Sequence, residues 1–248
     1  MTALTPWDHL LALVVFVAFP IYDYLSFPAF TARYWERGEP VKIRAYRETV
    51  VIWASFAVLL VVLWVSQGRS WSELGFRPVS WAGLLIGVAL GLGLLLAVSL
   101  QWRQLLRKDT AIADLMSSLG DLLAFTPRTS REERWFGLVS VNAGITEELL
   151  YRGFMIWYLE PRVGLPVAAL VSVAAFTFAH AYQGARQLPS IALMSGAMVT
   201  LYLLSGTILV PIVFHILLDL VQGRALAKGL RTLDPRALRI AADEPSAA

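Results

Sequence analysis

Three short stretches of this chain carry ionisable residues inside apolar text. TEELLYRG holds Glu147, Glu148 and Arg152; FTFAH ends on His180; HILLD opens on His215 and closes on Asp219. Ionisable groups at membrane depth are costly, and they mark functional sites by default. On a helix, residues four apart share a face. Glu148 and Arg152 form such a pair, and so do His215 and Asp219. A carboxylate one turn from a histidine can orient the ring and fix its tautomer. Glu147 is turned about 100° away from the Glu148–Arg152 face. It has no local partner, so it needs one from another helix or a task as a base.

Glu, His and His suit hydrolysis. A carboxylate takes a proton from water while a second group holds that water in line. A further histidine can donate to the oxyanion that develops on a carbonyl. The same Glu147, His180 and His215 also read as a zinc set, since two His and one Glu with an open position is a known zinc arrangement. HExxH on one helix, the usual compact signature, is absent. Residue types alone leave both mechanisms open.

The elements that must position these groups are membrane helices. The chain has 248 residues, 57% of them hydrophobic and 16% charged, with a mean hydropathy of +0.62. Soluble domains carry roughly 25% charged residues. The fold class is therefore all-α, a polytopic transmembrane helical bundle. Seven apolar segments are expected, at 10–27, 49–66, 82–101, 135–159, 163–180, 188–205 and 207–222. The N-terminal stretch MTALTPWDHL has no basic n-region, so the first apolar run is expected to stay as a helix. Cysteine is absent, which removes disulfides, thiolate nucleophiles and Cys-bound metals.

Three regions are expected: N-terminal helices and an amphipathic connection at 1–134, core helices at 135–222, and a basic tail at 223–248 whose end, DEPSAA, reads as disordered. IADLMSSLGDLLAF places Ile112, Leu115, Met116, Leu119, Leu122 and Leu123 on one face, a helix lying on the membrane surface. Gly83, Gly87 and Gly91 form a small-residue stripe suited to close helix packing.

Basic residues cluster in alternate connections. They include Arg33, Arg37, Lys42, Arg44 and Arg47, then Arg103, Arg107, Lys108, Arg128, Arg131 and Arg134, then the tail. By the positive-inside rule these lie in the cytoplasm, which puts the N-terminus outside and the C-terminus inside. Asp23, near the cytoplasmic end of the first span, is expected to reach for the interface. Counting in from Arg134, Glu147 lies about 20 Å deep, while His180 ends its span near the cytoplasmic surface. To meet, the fourth helix must start in the cytosol or the fifth must continue past His180. A water-filled cavity opening to that side is expected, because the three groups would otherwise go unsatisfied in hydrocarbon.

The motifs EELLYR, FTFAH and HILLD fit the patterns EExxxR, FxxxH and HxxxD/N, in order on successive late spans. YRGF, AHAYQG and GTILVPIVFH flank them. In this the chain resembles the CPBP family of intramembrane proteases: CAAX prenyl endopeptidases, bacteriocin-processing proteins and Abi-type proteins. The resemblance implies Glu147 as general base, His180 as water positioner, Glu148 and Arg152 as site holders, His215 and Asp219 at the oxyanion, and Phe176 packed beneath. The eukaryotic prenyl peptidases tend to have Asn where this chain has Asp219. An ionised Asp cannot donate to an oxyanion, which shifts that role to His215.

The reading is an intramembrane endopeptidase of glutamate type, requiring no cofactor, with zinc as the alternative. Its partners are membrane lipid and a membrane-associated protein or peptide, with no nucleic acid. Compact size and short loops suggest a bacterial inner membrane. There a bacteriocin leader or a C-terminal sorting tail is a more natural substrate than a prenylated CAAX protein, and a part in self-immunity fits as well. Two rivals stand beside it. One is a proton-coupled transporter, whose inverted repeats are not visible; the other is an inactive membrane scaffold.

Overall fold

A computed structural model describes residues 4–108, 114–115 and 118–231. The described elements are helical: α1 (Pro6–Arg37), α2 (Glu39–Ser66), α3 (Trp81–Leu105), α4 (Ser130–Glu148), α5 (Ile156–Val163), α6 (Leu165–Ala179), α7 (Leu188–Ser205) and α8 (Leu209–Arg231). A π-helical turn, Leu149–Met155, joins α4 to α5. The chain is an all-α membrane bundle.

Five of these helices are long and apolar enough to cross a bilayer: α1, α2, α3, α8, and α7 taken from Ala185. The two other expected spans differ in kind. The segment expected at 135–159 is α4, the π turn and α5, and it opens on the charged run Arg131–Arg134 before reaching Glu147, Glu148 and Arg152. The one expected at 163–180 is α6, with 15 residues, or about 22 Å of rise. That is short of the ~30 Å hydrocarbon core. These two elements carry Glu147, Glu148, Arg152, Phe176 and, at the end of α6, His180. Charge sets the first apart from a simple span, and short length the second.

Helix boundaries also move. α4 starts at Ser130, ahead of the expected edge at 135. Thr129 caps it: Glu132 N donates to Thr129 Oγ1 at 3.1 Å, and Thr129 N donates to Glu132 Oε2 at 3.2 Å. This reciprocal box satisfies two otherwise orphaned donors. Lys42 of α2 reaches the same corner, donating to Thr126 O at 2.7 Å. α6 does not continue past His180, and a 3-10 turn, Ala181–Gln183, follows. α8 runs on past residue 222 to Arg231.

The glycine stripe on α3 faces α7 and α8. A Cβ on Gly87 would lie 2.6 Å from Ser205 Cβ, and one on Gly91 would lie 2.2 Å from the Phe214 ring. Of the amphipathic connection, Ile112 and Met116 lie outside the described residues, as does the tail from residue 232. Leu119 and Leu123 are buried with Leu230, beside Trp35 and Leu226. The apolar face of that segment covers the basic end of the bundle, against α1 and α8.

At the other end, Asp8 accepts two hydrogen bonds from Arg69, at 2.7 and 2.6 Å. Both side chains are fully buried, and the Arg69 guanidinium packs over Trp64 and Trp157. This pair ties the start of α1 to the loop after α2.

Candidate active site

The site begins where α4 gives way to the π turn. Glu147 and Glu148 are the last residues of α4, and Arg152 lies in the turn. π turns inside helices occur often at functional sites, because the wider coil re-aims side chains. The turn is anchored from α6, where Ser172 Oγ donates to Tyr151 O at 2.8 Å.

Glu148 and Arg152 form the i,i+4 pair, with Oε1 and Nη1 3.1 Å apart and both side chains fully buried. Arg152 Nη2 also donates to Ser195 O at 3.0 Å and Ser195 Oγ at 2.9 Å. A guanidinium taken from water needs this density of partners. Its carbon also sits 4.7 Å from the centre of the Phe176 ring.

α8 supplies His215, and a glycine on α4 lets it come close. A Cβ on Gly144 would lie 2.5 Å from the Ile216 side chain. The carboxylate of Glu148 accepts from His215 Nδ1 at 2.8 Å. Asp219 Oδ2 is 3.8 Å from His215 Nε2, within ion-pair range and beyond hydrogen-bond reach. Glu148, from another helix, holds the ring. Glu147 Oε2 is also 3.8 Å from Nε2. Nε2 therefore faces two carboxylates, and Nδ1 a third.

His180 caps α6. Its Nδ1 donates to Phe176 O at 2.8 Å, which leaves Nε2 of a neutral ring as an acceptor. The ring stacks on Phe176 with centroids 4.4 Å apart, and the His215 ring lies 6.1 Å from Phe176. Phe176 thus touches Arg152, His180 and His215, more than the packing role expected beneath the site.

Side-chain exposure grades across the site, from 7% at Glu147 through 11% at His215 to 31% at Asp219. Asp219 is one turn closer than His215 to the basic end of α8, so solvent reaches the site from that end. Two clefts of about 130 and 360 Å³ lie elsewhere, with none of these residues in their walls.

Among the described residues, no three His, Asp or Glu side chains are grouped to hold a metal ion.

Sequence reasoning missed Ser195 and Ser172. A serine in an apolar helix has no distinctive spacing, and both act across helix interfaces. Asp23 lies on α1. It is half-buried, and its carboxylate lies within electrostatic range of Tyr151 and Tyr182, beside the site.

Residues 133–221 match the family model for type II CAAX prenyl endopeptidase Rce1-like proteins. The matched stretch includes every site residue from Glu147 to Asp219. No curated protein and no solved structure shows significant similarity to the chain.

Proposed function

We propose, from the match of residues 133–221 to the type II CAAX prenyl endopeptidase Rce1-like family model, that the chain hydrolyses a peptide bond of a membrane-associated protein or peptide with water activated by Glu147. The observation that carries this reading is the pairing of Glu147 with His215 across α4 and α8. Among the described residues Glu147 has no hydrogen-bonded partner of its own, and it faces a ring atom whose opposite side is held by Glu148.

In this reading the water lies between Glu147 and the acceptor Nε2 of His180. Glu147 takes a proton as the water oxygen attacks the carbonyl carbon. His215 donates from Nε2 to the oxyanion. Because Nδ1–H is committed to Glu148, the ring carries both protons when it does so. The proton on Glu147 then passes to the leaving amine as the C–N bond breaks. Glu148 and Arg152 act as positioning residues, and Asp219 lines the entry. The chain's own residues supply the whole reaction. The basic end, with the C-terminus, faces the cytoplasm of a bacterial cell, and substrates approach from that side.

The test is proteolysis by purified protein in liposomes that carry a library of membrane-tethered peptides. Wild type is expected to cut a subset of peptides, and Glu147→Gln none of them. Cleavage by the variant at the wild-type rate would remove Glu147 as the base.

A further inference from the structure

The larger cleft, about 360 Å³, lies between the start of α4 and the end of α8, at the basic end of the bundle. Arg134 from α4 and Arg224 from α8 both line it, and both are exposed. Neither has an ion pair or hydrogen bond among the described residues. Glu133, the cleft's carboxylate, is engaged by Arg231 of α8. The cleft therefore presents two uncompensated cations from two helices. Ser130 adds a hydroxyl, and the remaining wall is apolar or bare: Pro127, Phe136, Gly137, Leu220 and Gly223. The space at Gly137 is open, and a Cβ there would meet only Leu220, at 3.6 Å.

Beyond the cleft, both helices continue an apolar face towards the middle of the bundle. On α4, Leu138, Val141 and Ile145 follow Arg134 at helical spacing and are exposed. On α8, Leu217 and Val213 lead away from Arg224 in the same direction and are also exposed. Paired cations at the end of an apolar furrow match an amphiphile with an anionic head. Basic pockets between membrane helices bind anionic lipid headgroups in this way.

We propose that the α4–α8 cleft is a binding site for an anionic phospholipid. The phosphate sits between Arg134 and Arg224, and the acyl chains lie along Leu138, Val141, Val213 and Leu217. The site is separate from the Glu147–His215 centre, and it stands whether or not the chain is a protease.

The experiment is native mass spectrometry of the full chain released from bilayers of mixed phosphatidylcholine and phosphatidylglycerol. Wild type is expected to retain phosphatidylglycerol preferentially. With each basic residue acting on an anionic lipid, the joint substitution Arg134→Gln/Arg224→Gln should weaken that preference about thirtyfold. Lys228→Gln, an exposed cation of α8 outside the cleft, should leave it unchanged. Gly137→Leu, which fills the cleft and keeps both arginines, should abolish it, and it stands in if the double variant does not fold. Equal retention of the two lipids by wild type overturns the proposal. So does an equal loss in Lys228→Gln and the double variant, which would mean that general surface charge attracts the lipid.

Discussion

Glu148 on α4 accepts the Nδ1–H of His215 on α8 at 2.8 Å, and the same oxygen faces Arg152 Nη1 at 3.1 Å. One buried oxygen therefore links the His215 ring to the cation that holds Ser195 of α7. Asp219, the local partner of His215 in sequence, is held off at 3.8 Å. If Glu148 sets the ring, Glu148→Gln should lower cleavage about a hundredfold, the scale of a misplaced reacting group. Asp219→Asn should stay within tenfold of wild type. Kinetics of the two variants on one substrate checks the order, and a larger loss in Asp219→Asn would return the orienting role to Asp219.

Arg152 presents a planar fork to Glu148, Ser195 O and Ser195 Oγ. A lysine cannot reproduce that geometry. Arg152→Lys is expected to destabilise the protein by about 3 kcal/mol, as for a broken buried pair. Ser195→Ala removes one charge-assisted bond and should cost about 1.5 kcal/mol. Thermal unfolding in detergent measures both.

The α3 stripe predicts opposite outcomes at neighbouring glycines. Gly91→Ala drives a methyl into the Phe214 ring and should cost about 1–3 kcal/mol. Gly93 has open space around it, so Gly93→Ala should stabilise α3 by about 0.5 kcal/mol. Unfolding midpoints of the two variants should move in opposite directions.

Asp8 and Arg69 are buried at the far end from the site. Asp8→Ala leaves an uncompensated guanidinium, at a cost of about 3–5 kcal/mol. Replacing both, as Asp8→Ala/Arg69→Met, should recover much of that. A double-mutant cycle measures the coupling, and additive losses would show that the pair contributes nothing jointly.

Contacts within one helix were legible in the sequence, and contacts between helices were not. Spacing alone paired Glu148 with Arg152 and put His180 and His215 on separate late helices. It paired His215 with Asp219 because both lie on α8, whereas the hydrogen bond crosses to Glu148, 67 residues away. The Asp8–Arg69 pair spans 61 residues and was equally hidden. The π turn at Leu149–Met155 has no signature in composition, and it re-aims Arg152. Hydropathy found all seven helical segments. It misjudged the ends of α4 and α8, because charged residues extend a helix beyond its apolar window.

The role proposed for Glu147 is activation of the water that cuts membrane-associated substrates. The most direct measurement compares the termini of membrane proteins in host cells carrying wild type or Glu147→Gln. That substitution keeps the side chain's shape and removes the base. The account predicts a set of new termini present with wild type and missing with the variant, each marking a cleavage site. Identical termini in the two strains, with the variant inserted and equally abundant, would contradict it.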